Sequence, residues 1–140
     1  MTIEELTRGL GRALQGRAEV RLALLFGSSV TRGLEHARDL DVAVAFMHPV
    51  SLMDQCRLGE HLEEVAGREV DLIDLDNGST LLRSEVARQG VVLWARDRRD
   101  LVDFRARAPL EFFDLQPYRE REAEGLRRVL EAARWSSSTS

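Results

Sequence analysis

The sequence predicts an α/β (α+β) domain, a small mixed sheet of about four strands flanked by helices, with further helices at the C-terminal end. Three observations carry that expectation. Short apolar runs bounded by glycine or charge recur at 20–26, 39–46, 68–75 and 91–95, as strands do. Runs with apolar residues three or four apart occupy 3–14, 51–67 and 78–90, the period of a helix with one buried face. The remainder, 97–135, keeps the helical period without a further strand signal.

Each element has its own warrant. Ile3, Leu6, Leu10 and Leu14 form a stripe, with Thr2 placed as N-cap before Glu5 and Gly16 as the stop. "VRLALLF" and "DLDVAVAF" are partly alternating apolar runs, and the segment between them, "GSSVTRGLEHAR", predicts a tight turn, one short helical turn and a loop. Ser51 caps and Gly67 ends a helix whose apolar face holds Leu52, Cys56, Leu58, Leu62 and Val65. "REVDLIDL" is the third strand, 78–90 a helix ending at Gly90, and "VVLWA" the fourth strand. Beyond it, Leu101, Phe104, Ala108, Phe112 and Leu115 make a core-facing stripe that Pro109 should kink or break, and a second helix is expected from Pro117 to Trp135.

With 140 residues the chain can bury one core. A single domain is expected over 1–135, core 1–96 and helical segment 97–135, followed by a disordered polar tail at 136–140. Apolar content of 44% and charged content of 31% fit a soluble globular chain. No apolar run approaches the roughly 20 residues of a membrane span and no signal peptide is visible, so a cytoplasmic location with no membrane partner is expected. A net charge of -4 argues against direct nucleic-acid binding. All 20 basic residues are arginine, a pattern expected from codon bias toward G and C, although arginine also offers planar, bidentate phosphate contacts. The one cysteine, Cys56, excludes an internal disulfide and reads as a small buried or half-buried residue. His36, His48 and His61 have no metal-ligand spacing. Five of the eight aromatics lie beyond residue 100, more than one stripe readily buries, which leaves some of them for a partner surface.

The chemistry is concentrated in "GSSVTRGLEHARDLDVAV". Asp39 and Asp41 are two apart in a strand, so both carboxylates leave the same face. Without a counter-charge they repel and raise each other's pKa; a divalent cation removes the conflict. Mg²⁺ is held by one or two carboxylates together with substrate phosphates and water, which suits a metal-nucleotide complex. Asp71, in "EVDLI", is the third carboxylate, and three acids can hold two ions for an in-line displacement. Asp74 is three residues on and points to the opposite face. Gly27 and the serines after it, Ser28 and Ser29, follow the first strand directly, where backbone amides and hydroxyls can cradle phosphate oxygens. Arg32 lies one turn further, where its guanidinium can aim at the same phosphates or brace the loop.

This stretch resembles the Gly-Ser, ten residues, Asp-x-Asp signature of nucleotidyltransferases of the DNA polymerase beta superfamily, and "REVDLIDL" is similar to the strand that carries their third Asp. The short chain resembles the minimal nucleotidyltransferases, and "DFRARAPLEFFDLQPYRERE" resembles the helical end of the MntA-like antitoxins that pair with HEPN-domain (HepT) toxins. The resemblance implies a nucleotidyltransferase fold and a Mg²⁺-dependent enzyme that takes ATP, transfers AMP to a tyrosine of a cognate HEPN-domain ribonuclease toxin and neutralises it as an antitoxin. It implies that Ser28 contacts the triphosphate, that Asp39 and Asp41 hold both metals, and that Asp71 ligates the catalytic one and helps deprotonate the acceptor. One departure stands out: family members commonly carry Ser immediately before the first Asp, and this chain has Arg38. Two alternatives remain open, a small-molecule nucleotidyltransferase of the aminoglycoside-modifying type and an antitoxin acting by complex formation alone.

Overall fold

A computed structural model describes residues 1–114. Its elements are α1 Ile3–Gln15, β1 Val20–Phe26, α2 Ser28–Thr31, a 3₁₀ turn Leu34–His36, β2 Leu40–Phe46, α3 Leu52–Ala66, β3 Val70–Asp74, α4 Thr80–Gln89, β4 Val91–Ala95 and α5 Arg98–Asp114. The strands form one mixed sheet in the order β3-β2-β1-β4. β1 runs antiparallel to both β2 and β4, whereas β2 and β3 are parallel and joined through α3.

Local signals set the helix limits. The hydroxyls of Thr2, Ser51 and Ser79 accept from the amides of Glu5, Asp54 and Leu82 at 3.2, 3.1 and 3.1 Å. Each such cap contributes about 1 kcal/mol. Gly67 ends α3 in the left-handed region, at φ 67°, where a Cβ would be strained.

Two apolar layers enclose the sheet. Leu6, Leu10 and Leu14 of α1 and Leu58, Leu62 and Ala66 of α3 pack with Leu40, Val42 and Val44 of β2 on one face. On the other, Val86 and Ala87 of α4 and Phe104 and Ala108 of α5 pack with Leu22, Leu24, Ala43 and Ala45. Every fully buried leucine contributes roughly 1.5–3 kcal/mol, so the central strands β1 and β2 are fixed most firmly. Among the described residues, no helix is long and apolar enough to cross a membrane.

The structure corrects several local expectations. β2 begins at Leu40, so Asp39 stands in the preceding loop. β3 spans only Val70–Asp74, because Arg68 and Glu69 lead in from the helix cap and residues 75–77 turn away. Cys56 is exposed and Leu52 is 76% exposed. The buried stripe of α3 is Leu58, Leu62 and Ala66; at 3.6 residues per turn, Cys56 lies about 160° from Leu58 around the helix. α5 runs through Pro109 to Asp114. Proline removes one intrahelical hydrogen bond there, and the burial of Phe104 and Ala108 against α4 holds the helix up to that point. Of its aromatics, Phe104 is buried and Phe113 is 59% exposed. The expected helix from Pro117 to Trp135, Leu115 and the 136–140 tail lie outside the described residues.

One end of the sheet is tied by arginine. Arg21 of β1 donates to Asp100 of α5 at 2.5 Å and to Asp76 at 2.8 Å, while the second oxygen of Asp76 accepts from the amide of Phe46 at 3.0 Å. Burial alone would lower the Arg21 pKa, but the hydrogen bonds and charges of Asp100 and Asp76 outweigh it and raise the pKa. Arg96 donates to the carbonyls of Val20, Arg17 and Ala18 at 3.2, 3.1 and 3.2 Å, closing the turn between α1 and β1.

Candidate active site

The opposite end of the sheet collects the residues singled out from sequence. Because β1 is antiparallel to β2, its last residue, Phe26, is the partner of Asp41 near the start of β2. Because β2 and β3 are parallel, Asp41 is in turn the direct partner of Asp71. Val42 and Leu72, the next residues, pack on the α1 and α3 side. Successive side chains alternate, so Asp41 and Asp71 leave the other face as neighbours. Asp39 is two residues before Asp41, close enough for its charge to act on it. Asp74 is committed elsewhere: its carboxylate accepts from the Asp76 amide at 3.0 Å and from Asn77 Nδ2 at 2.7 Å, closing the turn after β3.

Gly27 fits the turn between β1 and α2 for two reasons. Its φ is 81°, and a Cβ there would collide with Oδ2 of Asp41. A side chain at position 27 would therefore displace the Asp41 carboxylate. Ser28 opens α2, half-buried, with no hydrogen bond to its hydroxyl among the described residues. Ser29 turns the other way: it is 1% exposed and its Oγ donates to the carbonyl of Phe26 at 3.4 Å, bracing the strand end. Thr31 Oγ1 donates to the Gly27 carbonyl at 3.2 Å and holds the same turn. Arg32 and Arg38 are both exposed, and neither has a hydrogen-bond or ion-pair partner among the described residues.

The electrostatics of the carboxylates are unbalanced. The pKa of Asp41 is raised, first by its burial, then by the charge of Asp71 and then by that of Asp39. Among the described residues no hydrogen-bond donor or arginine offsets the charge of these three groups. Nor do three His, Cys, Asp or Glu side chains among the described residues converge into a ready metal cage. Mg²⁺ does not require one, since it binds through one or two carboxylates plus phosphate and water oxygens. The oxygen-only donor set and the uncompensated charge on Asp41 fit a hard divalent cation brought in with an anionic substrate.

One residue of this region gave no signal in the sequence. Arg68, between the α3 cap and β3, donates from Nη1 to the carbonyls of Leu34 and Ala37 at 2.8 and 3.3 Å. Its partners lie more than 30 residues away along the chain, so no local motif could have pointed to it. Beside the site, a cavity of about 420 Å³ runs between α3 and the open edge of β3, lined by residues that include Cys56, Glu60 and Asp71.

Comparison with known proteins agrees with this geometry. Residues 10–99 match the family model described as polymerase beta, nucleotidyltransferase. A Methanocaldococcus jannaschii protein that carries the name of a protein adenylyltransferase is 35% identical over 72 residues, 51% of this chain and 77% of that one. The protein adenylyltransferase MntA of Shewanella oneidensis is 32% identical over 83 residues, 59% of each chain. A chain from the crystal structure of a toxin-antitoxin with AMP-PNP superposes with a TM-score of 0.71 at 27% identity, covering 84% of this chain and 95% of that one. A chain from a crystal structure of a toxin-antitoxin MntA complex superposes at 0.70 with 28% identity, covering 82% and 92%. The match spans the strands that bring Gly27, Asp41 and Asp71 together, and the chain belongs to the polymerase beta nucleotidyltransferase family.

Proposed function

We propose that this nucleotidyltransferase is a protein adenylyltransferase antitoxin, which moves AMP from ATP to a tyrosine of a cognate HEPN-domain toxin and so silences it. The observation that carries the reading is the rung pairing of Asp41 with Asp71, with Asp39 two residues before and no cation beside them among the described residues. The relatives named as protein adenylyltransferases and the toxin-antitoxin neighbours favour a protein acceptor. The catalytic unit is read as one domain over 1–135.

In this reading Asp39, Asp41 and Asp71 are the ligands for two Mg²⁺ ions. When bound, the ions supply neutralisation of the triphosphate and of the charge that develops as the leaving group departs. The chain's own residues do the rest. Ser28 donates its free hydroxyl to a phosphate oxygen, and the amides at the start of α2 lie beside it. Gly27 keeps the backbone low enough for the phosphates to approach Asp41. Arg32, exposed one turn on, offers its guanidinium to the same oxygens. Ser29 acts from beneath, holding the turn through the Phe26 carbonyl. Asp71, the most accessible of the strand carboxylates, accepts the proton of the acceptor hydroxyl. The hydroxyl oxygen then bonds to the α-phosphorus, the bond to the β-phosphate breaks, and pyrophosphate leaves. Such transfers depend on positioning and charge neutralisation more than on a covalent protein group.

The test is mass spectrometry of the co-expressed toxin after incubation with purified protein, ATP and Mg²⁺. Added AMP on a tyrosine is expected. A toxin that stays unmodified yet is neutralised equally by the Asp39→Asn/Asp41→Asn protein would establish inhibition by complex formation alone. AMP found instead on an aminoglycoside would establish a small-molecule acceptor.

A further inference from the structure

We infer that Arg68 is a positioning residue for the metal-binding loop, and this rests on the active-site reading above. Asp41 and Asp71 are held by the strand ladder itself, each rung fixed by its neighbours. Asp39 has no such support, since β2 begins only at Leu40. Its place depends on how the loop of residues 33–39 enters the strand. Little within that loop fixes it: Gly33 is at φ 95°, and the 3₁₀ turn closes through long bonds, His36 to Gly33 at 3.2 Å and Ala37 to Leu34 at 3.4 Å.

Arg68 supplies the missing constraint. A single guanidinium nitrogen joins the carbonyl of Leu34, at the start of the 3₁₀ turn, to that of Ala37, just past its end and two residues before Asp39. The arginine is itself anchored. Gly67 fixes the backbone before it, the Glu69 carbonyl accepts from the Leu40 amide at 2.9 Å, and Val70 N donates to Glu63 Oε1 at 3.1 Å. Arg68 is also three residues before Asp71. The segment that carries the third carboxylate therefore also clamps the loop that carries the first. Charge-assisted bonds to carbonyls are the stronger kind, and groups that orient metal ligands commonly change metal affinity by about 10–100-fold when removed.

The experiment compares Arg68→Gln and Arg68→Lys with Arg96→Gln, whose guanidinium clamps loop carbonyls at the other end of the sheet. Mn²⁺ binding in the presence of a non-hydrolysable ATP analogue is followed by electron paramagnetic resonance, together with the melting temperature and, in metal-free protein, hydrogen exchange over residues 33–40. Arg68→Gln is expected to weaken Mn²⁺ binding on the order of tenfold and to speed exchange in that segment, with Arg68→Lys intermediate. Arg96→Gln should lower the melting temperature by a similar amount and leave both readouts as in the wild type. Unchanged exchange over 33–40 in Arg68→Gln would overturn the clamp whether or not metal binds. Equal loss of Mn²⁺ binding in Arg96→Gln would reduce Arg68 to a general stabiliser. Failure of the wild-type protein itself to bind Mn²⁺, with the exchange difference intact, would instead overturn the active-site reading and leave the clamp as a loop brace only.

Discussion

The two ends of the sheet treat their carboxylates in opposite ways. At the end where β2 and β3 finish, Asp76 and Asp100 are matched to Arg21, and Asp76 also accepts a backbone amide. At the end where those strands begin, Asp41 is paired across the ladder with Asp71 and preceded by Asp39, without a cation among the described residues, and its burial and then their charges raise its pKa. Both groups draw their acids from aspartates at or near the ends of β2 and β3, Asp100 of α5 excepted. A satisfied carboxylate ties elements together; an unsatisfied one is a cost to the fold that a bound ion can offset. The contrast marks Asp39, Asp41 and Asp71 as the candidates for function without any bound ligand.

The largest effect is expected at the unsatisfied end. Asp39→Asn/Asp41→Asn should lower adenylyl transfer by roughly a thousandfold or more, the order seen when charge-stabilising groups are removed from a reacting centre. Its folded structure should survive, as shown by an unchanged circular dichroism spectrum. Gly27→Ala comes next. Its Cβ would meet Asp41 and its φ is unfavourable for alanine, so transfer should fall at least about tenfold, with about 1–2 kcal/mol of stability lost to strain. Both can be read in the toxin modification assay and a urea titration.

Changes at the satisfied end should do the reverse. Arg21→Met strands two acids that are partly solvated, and should cost about 1–3 kcal/mol in denaturant unfolding while leaving the transfer rate per folded molecule unchanged. A rate loss larger than the stability loss explains would erase the distinction between the ends.

The smallest effect concerns metal-free stability. Asp41 has a raised folded pKa, so the folded state binds more protons than the unfolded chain between the ordinary carboxylate value and the raised one. Stability then falls as pH rises through that interval. Asp41→Asn should remove this dependence and raise the melting temperature of the metal-free protein at neutral pH by on the order of a few degrees. Mg²⁺ with nucleotide should raise the wild-type midpoint and leave the Asn variant almost unmoved.

Much of this contrast was legible along the chain, because its signals are local. The spacing from Gly27 to Asp41 and the interrupted apolar run at Asp71 fix the acids on neighbouring strand starts, and β1 and β4 fall on their expected limits. What was not legible depended on contacts distant in sequence. Arg21 and Arg68 are ordinary arginines until the sheet brings their partners close, 79 residues away for Asp100 and 34 for Leu34. Ser29 follows Ser28 in the motif, and only the fold shows that its hydroxyl donates to the carbonyl of Phe26 in β1. Alternation continues through Asp39 and predicts strand there, yet the ladder starts one residue later. The apolar spacing of α3 places Cys56 and Leu52 on a buried face, whereas the helix buries Leu58 and Leu62 and leaves those two exposed. Pro109, where the sequence predicts a kink or a break, does not break α5, which continues through it to Asp114.

The most direct test of the central claim, that the uncompensated carboxylates form a cation site for a nucleotide, is Mn²⁺ titration of the wild type against Asp39→Asn/Asp41→Asn and Arg21→Met with an ATP analogue present. Saturable Mn²⁺ binding in the wild type and in Arg21→Met, lost in the double Asn variant, is the predicted result. Equal Mn²⁺ binding by the wild type and the double Asn variant would contradict it.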